Sequence, residues 1–326
     1  MPSPDAPTPS GGRRVLLLGA TGTIGRATAA ALLRAGHRVT ALVRPGSAAP
    51  PGCAVREGDV TRAGIVAGVL AEGGFDALVS CLASRTGAQA DARAVDLGAN
   101  GLALSAARAA GVRRFVLLSA ICVQRPRLAF QHAKLAFEAE LTASPLDWTI
   151  VRPTAFFKSL SGQVARVSAG RPFLVFGDGR LTACTPIADA DLGTFLTRCL
   201  TDPAASRRIL PVGGPGPALT PLDQAAILAD LLGREVRVRR VPVALMDGII
   251  AVLSALGRMS PRMAAKAEFA RIGRYYATES MLVWDEGAGR YVAEATPAFG
   301  TTTLRDHYAA LLRGDATDDR GDHALF

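Results

Sequence analysis

Charge and aromatic side chains are both scarce here: of 326 residues, 20% are charged and 6% aromatic. Such low charge beside 49% apolar residues excludes a disordered polymer and leaves enough apolar surface for a large core. Cysteine is sparse as well. Cys53, Cys81, Cys122, Cys184 and Cys199 show no CxxC pairing and no metal-ligand spacing. That argues against an iron–sulfur cluster, any other bound metal or a disulfide framework, and fits buried thiols in a reducing cytoplasm. No uninterrupted apolar run approaches the roughly 20 residues that span a bilayer, so no transmembrane segment is expected. The most apolar late stretch, 241–256, is broken by Pro242, Asp247 and Gly248. Loose contact with a membrane surface is compatible with it; burial as a core helix is the reading favoured by its apolarity. Also missing is a basic run interleaved with aromatics. The net charge of +9 therefore points to anionic small molecules, or to solubility, and not to nucleic acid. Nothing in the sequence reports the oligomeric state.

What is present begins with VLLLGATGTIG at residues 15–25. A short apolar run enters a glycine-punctuated turn, and a helical pattern follows at once, which is the context a dinucleotide pyrophosphate needs. Gly19 permits the sharp turn, Gly22 a close backbone approach to phosphate, and Gly25 tight packing of helix on strand. Thr21, Thr23 and Ile24 supply the intervening backbone, and a helix N-terminus offers free N–H groups to an anion. The strand after the helix closes on Arg44, nineteen residues after Gly25, where an acidic residue would hold the ribose hydroxyl of NAD. Arg44, with Arg26 directly after the last glycine, suits a 2′-phosphate, so the expected cofactor is NADPH. The plainer alternative for Arg44 is a solvated strand end.

Strand and helix patterns alternate through the first half: strands near 15–18, 37–44, 55–57, 75–81, 115–119 and 148–153, and helices at 26–35, from Thr61 as a cap, at 88–110 and at 128–142. This predicts an α/β fold: a Rossmann-like, doubly wound parallel sheet with a smaller C-terminal substrate lobe. The expected organisation is a loose leader at 1–12, a dinucleotide-binding domain at 13–157, a substrate lobe at 158–313 with elements returning to the sheet, and a frayed tail at 314–326. A helix is expected at 221–232. Ligands of such sheets sit beyond the carboxyl ends of the strands. Asp59, Cys81, Ala83, Ser119, Pro153 and Phe156 fall at those ends and join the cofactor-binding candidates.

In short-chain dehydrogenases/reductases the helix after the fifth strand carries Tyr-x-x-x-Lys. Here it reads Phe130-Gln131-His132-Ala133-Lys134. Four residues apart, both side chains share a helix face. Lys134 is retained, but phenylalanine cannot donate a proton, which puts carbonyl–alcohol chemistry in doubt. The first half thus resembles the atypical short-chain reductases. RPTAFFKSLSGQ at 152–163, LVFGDG at 174–179, GGPGPALTP at 213–221 and RYYATESM at 274–281 are similar to the NADPH-dependent divinyl chlorophyllide 8-vinyl reductases, over residues 14–312.

The resemblance implies a magnesium tetrapyrrole substrate, a divinyl chlorophyllide or protochlorophyllide, whose 8-vinyl group becomes ethyl in (bacterio)chlorophyll biosynthesis. It makes Lys134 the catalytic candidate, as ribose anchor and proton source. His132, turned away from Lys134, is a weaker acid. Phe156 and Phe157 are placed to stack on the macrocycle or to fill core, and the sequence leaves these even. Lys158, Arg258, Arg262, Lys266, Arg271 and Arg274 are candidates for the propionate carboxylate, and Tyr275 for substrate contact, against the plain reading of a solvated basic face. Two alternatives remain open: a reductase of a smaller conjugated alkene, and a non-catalytic NADP(H) sensor.

Overall fold

The computed structural model describes residues 12–316; the expected leader, but for Gly12, and most of the expected tail lie outside them. In chain order the first half runs β1 (Arg14–Leu18), α1 (Thr23–Arg34), β2 (Arg38–Val43), β3 (Ala54–Glu57), α2 (Ile65–Ala71), β4 (Ala77–Ser80), α3 (Gln89–Ala92), a π-helical stretch (Arg93–Ala99), α4 (Asn100–Ala109), β5 (Arg114–Leu118), α5 (Ala129–Thr142) and β6 (Asp147–Pro153). The second half adds α6 (Phe157–Leu160), α7 (Val164–Ser168), β7 (Phe173–Phe176), α8 (Asp189–Arg198), β8 (Arg208–Val212), α9 (Pro221–Leu232), β9 (Val238–Val241), α10 (Val243–Gly257), α11 (Pro261–Thr278), β10 (Val283–Asp285), β11 (Arg290–Val292) and α12 (Leu304–Arg313).

Seven strands form one sheet in the order β3-β2-β1-β4-β5-β6-β8, all parallel. A parallel sheet is covered on both faces, so its strands read as unbroken apolar runs, and the residues of β4 and β5 are all buried. Successive residues of β1 part to opposite faces: Val15 and Leu17 join one core, Leu16 and Leu18 the other. On the first face α1 packs on α8; a Cβ at Gly193 would stand 2.6 Å from the Ala27 carbonyl carbon, so glycine sets the closeness of that contact. The strand order reverses between β1 and β4, which opens the ligand crevice at their carboxyl ends. The remaining second-half elements build a separate core around Phe157, Val164, Phe173, Leu228 and Tyr308, beside a two-stranded β7–β9 ribbon and the α10–α11 pair.

Three expectations are corrected. Thr61 caps no helix. Asp59 Oδ1 instead accepts from the Thr61 N–H (3.0 Å) and hydroxyl (2.7 Å), closing a local turn, and α2 starts later, after Gly64. The helix expected at 88–110 is continuous in course but widens to π geometry in its middle. The stretch at 241–256 does not enter the core: α10 has no buried residue. Its apolarity runs around the whole helix, so hydropathy marks it for burial, yet α11 is the chief element packed against it.

Candidate active site

The glycine turn is built as its spacing requires. Gly19 has φ +73°, and a Cβ there would meet the Cys81 carbonyl oxygen at 2.5 Å, because the turn rests on the loop after β4. At Gly25 a Cβ would stand 2.0 Å from the Gly19 carbonyl oxygen. Gly22 differs. A Cβ there meets only Gly19 O, at an ordinary 3.5 Å. The chain itself leaves room at Gly22, so no contact within the chain requires a bare backbone there. Gly22 also caps α1 without a side chain, leaving the first-turn N–H groups of Thr23, Ile24 and Gly25 to an external acceptor. The turn therefore fits a dinucleotide pyrophosphate. Arg26 spans its mouth, donating to Thr21 O (3.0 Å) and to Ala48 O (3.3 Å) in the loop that follows Arg44. Arg44 is exposed at the end of β2. The turn at Thr61 holds the Asp59 carboxyl below its usual range, helped by Arg62 and Arg44.

Cys81 sits at the floor. Its Sγ lies 3.8 Å from Thr28 Oγ1, and burial pushes the thiol up to about 12, so it is a neutral packing group. Ala83 is exposed at the mouth, Pro153 is buried and Phe156 half-buried. The Ser119 hydroxyl donates to Glu138, whose other oxygen pairs with Arg152, so Ser119 is held from below by a buried network.

Lys134 emerges from α5 onto a partner that sequence reasoning missed. Its Nζ lies 2.8 Å from Asp96 Oδ1, with the Lys134 side chain 11% exposed and that of Asp96 0%. Asp96 belongs to the π-helical stretch, a geometry that is frequent at functional sites. Its Oδ1 also accepts from the Ser84 N–H at 3.4 Å, and its backbone oxygen from Asn100 Nδ2 at 3.0 Å. Asn100 Oδ1 in turn accepts from the Ser80 hydroxyl at 2.6 Å. One chain of polar contacts thus ties the end of β4, the π stretch and α5 together. A signal existed: Asp96 falls among Ala92, Ala99 and Ala103, all buried, so an acid sat on the apolar face of an alanine-rich helix. Phe130, one turn before Lys134, packs in an apolar cluster with Ile272, Cys122 and Tyr276.

Several candidates sit elsewhere. Lys158 Nζ donates to Thr23 Oγ1 at 2.8 Å, which places its charge at the glycine turn. Phe157 is buried in the second core, its ring 5.2 Å from that of His307, so it cannot stack on a ligand. Arg274 is committed to Asp247, clamping α11 to α10. The Tyr275 hydroxyl donates to Cys122 O (2.9 Å) and Arg125 O (3.2 Å), and burial raises its pKa; it locks α11 to the loop after β5. His132 is exposed.

Asp189 opens α8 close to Lys158. Burial pushes its carboxyl from 3.8 up to about 6, with Lys158 pulling the other way, and its Oδ1 has no hydrogen-bond partner among the described residues. The folded state thus favours the protonated acid. The stabilising contribution is full below about pH 4 and is lost as pH rises through about 6. Asp189→Asn, which mimics the protonated form, is expected to stabilise the protein at pH 8 by on the order of 2–3 kcal/mol and to change little at pH 4. Thermal melts at the two pH values test this; an equal change at both would refute it.

Comparison with known proteins agrees with this geometry. The model of the NAD(P)H-binding family matches residues 19–203. The divinyl chlorophyllide a 8-vinyl-reductase of Oryza sativa is 47% identical over 96% of this chain and 82% of its own length. The reductase of the same name from Zea mays is 45% identical over 98% of this chain and 84% of its own length. Among solved structures, the leucoanthocyanidin reductase–NADPH complex of Vitis vinifera superposes with TM-score 0.68 over 92% of this chain and 99% of its own, at 18% identity, a likeness of fold. The chain belongs to the NAD(P)H-binding family and, within it, to the divinyl chlorophyllide a 8-vinyl-reductases.

Proposed function

We propose that this enzyme reduces the 8-vinyl group of a divinyl chlorophyllide or protochlorophyllide to ethyl with NADPH, as a step of chlorophyll biosynthesis. The observation that carries this is the near-full-length identity with the reductases of that name, 47% in the rice protein. The site chemistry agrees. Conjugation with the macrocycle lets the ring accept an electron pair, so the outer vinyl carbon is open to hydride and the inner one then takes a proton. No oxyanion develops at a carbonyl, and Phe130 in place of a tyrosine costs nothing. Bound NADPH supplies the hydride and leaves as NADP⁺.

The chain's own part is binding, alignment and exclusion of water. Gly19, Gly22, Gly25 and the first turn of α1 hold the pyrophosphate, with the Lys158 ammonium beside Thr23 adding positive charge. Arg44, exposed at the end of β2, would hold the 2′-phosphate, with Arg26 beside it at the turn. Lys134 Nζ binds the nicotinamide ribose and holds a proton at the cleft, and Asp96 fixes its position. Phe156, half-buried against the core that holds Ala20 and Ile24, would be the aromatic ring left for the substrate. Residues 13–157 carry the dinucleotide and 158–313 the tetrapyrrole, with α8 and β8 returned to the sheet. No helix among the described residues is long and apolar enough to cross a membrane, and the free thiols fit the cytoplasm.

Mixing the protein with NADPH and divinyl chlorophyllide is expected to blue-shift the Soret band slightly as NADPH is consumed. An unchanged pigment overturns the proposal. Arg44→Ala is expected to raise KM for NADPH about tenfold or more and leave KM for NADH unchanged, the loss of one charge-assisted contact. Equal effects on both coenzymes would remove Arg44 from phosphate recognition.

A further inference from the structure

The α10–α11 pair stands out from the rest of the surface. Leu245, Ile249, Val252, Leu256 and Met259 are 56%, 47%, 60%, 48% and 89% exposed. They recur at intervals of four and three, which puts them along one face of α10 and its end. Phe269 on α11 is 41% exposed as well. An exposed apolar stripe of this length marks a contact surface.

The charges on the pair decide what covers it. Residues 243–278 hold five basic side chains and two acidic ones. Both acids are engaged, Asp247 by Arg274 and Glu268 by Arg271. Arg258, Arg262 and Lys266 are exposed and form no ion pair among the described residues. They gather where α10 passes into α11, next to Met259, the most exposed of the apolar residues. At the other end of α10, Arg239 and Arg240 are exposed on β9. Cations therefore bracket the apolar stripe. In a two-fold dimer through this face the cationic cluster would meet a stripe bracketed by the same cations, and no acid on the pair is free to neutralise it. A helix with an apolar face and basic flanks matches an anionic lipid surface on both counts. Since no described helix can span a bilayer, the contact is one of lying on the membrane.

We propose that the α10–α11 pair docks this enzyme on an anionic bilayer, with Leu245, Ile249, Val252, Leu256 and Met259 in the headgroup–acyl boundary and Arg258, Arg262 and Lys266 on lipid phosphates. The inner face of the same pair reaches the cleft: Ile272 lies in one cluster with Phe130, and the Tyr275 hydroxyl is tied to the loop after β5. Docking stands without the proposed reaction. Only its use, delivery of an apolar macrocycle out of lipid to the cleft, rests on that reading.

Flotation of the full chain with vesicles tests it. Protein is expected to float with phosphatidylglycerol-containing vesicles at low salt, to stay behind with pure phosphatidylcholine, and to be released by high salt. Leu245→Asp with Val252→Asp abolishes flotation. Arg258→Ala, Arg262→Ala and Lys266→Ala together weaken partition at least tenfold. Both sets lie on the outer surface and retain the wild-type melting temperature and NADPH affinity. No binding to anionic vesicles by the wild type, or equal binding by the aspartate variant, overturns the proposal. So does a concentration-dependent dimer that the aspartate variant abolishes, since the face then belongs to a second copy. Loss of flotation with intact turnover of detergent-dispersed pigment separates docking from catalysis.

Discussion

Lys134→Ala is expected to lower kcat by about 10²–10³-fold while NADPH affinity falls no more than about tenfold. The asymmetry follows from the two duties assigned to one ammonium. On the proposed reading a ribose hydrogen bond is one contact among many along the dinucleotide, whereas the proton delivered from Nζ would have to come from elsewhere once Phe130 stands in the tyrosine position. The substitution also costs stability. It leaves the Asp96 carboxylate, with a side chain 0% exposed, without its cation, and breaking a buried pair in this way costs about 3–5 kcal/mol. Asp96→Asn separates the two effects. It keeps the shape of the side chain and relieves the buried charge, but it loosens the hold on Lys134. The expected result is a lower kcat with KM for NADPH nearly unchanged. Steady-state kinetics beside thermal melts read this out. If Asp96→Asn lowers the melting temperature and leaves kcat alone, the pair is structural only.

The glycine turn yields a result of comparable size with opposite partition. Gly25→Ala places a methyl 2.0 Å from the Gly19 carbonyl oxygen, a backbone atom with no freedom to retreat while α1 stays seated on β1. Overpacking against backbone costs about 1–3 kcal/mol or more, and the turn that presents Thr23 and Ile24 N–H to an anion opens. A loss of at least about 100-fold in NADPH affinity is expected, together with a lower melting temperature. Gly22→Ala supplies the control. Its methyl meets only an ordinary contact at 3.5 Å, so the fold is expected to keep its melting temperature. NADPH affinity should nonetheless drop, because the space taken is the ligand's. Calorimetric titration with NADPH and a melt of each variant decide the matter. Undiminished affinity in Gly22→Ala would mean that no phosphate approaches there.

The strand and helix order of the first half was legible because each element carries a local signature. Alternating apolar runs and alanine-rich helices repeat, with glycines placed at the turns. Pro221–Leu232 is bounded as expected, since Thr220 and Asp223 form a reciprocal cap and Gly233 ends the helix in left-handed geometry. Where a residue had two equally good local uses, the sequence left the choice open. Phe157, left even between ligand contact and core, is core in space, and the weakly favoured Tyr275 is buried as well. Arg274 looks like an anion receptor and is clamped to Asp247. Asp96 was overlooked because its significance depends on Lys134, thirty-eight residues further on and on another helix.

The amino-acid sequence by itself determined the parallel sheet, the glycine turn with its arginines, the retained lysine and the missing tyrosine, because periodicity, backbone freedom and side-chain chemistry are local properties. Tertiary structure alone decided which cation meets which acid and which apolar face stays bare. The Lys134–Asp96 pair, the seating of Lys158 at Thr23 and the exposed stripe of α10 depend on which elements become neighbours, and neighbours far apart along a chain leave no periodic trace in it.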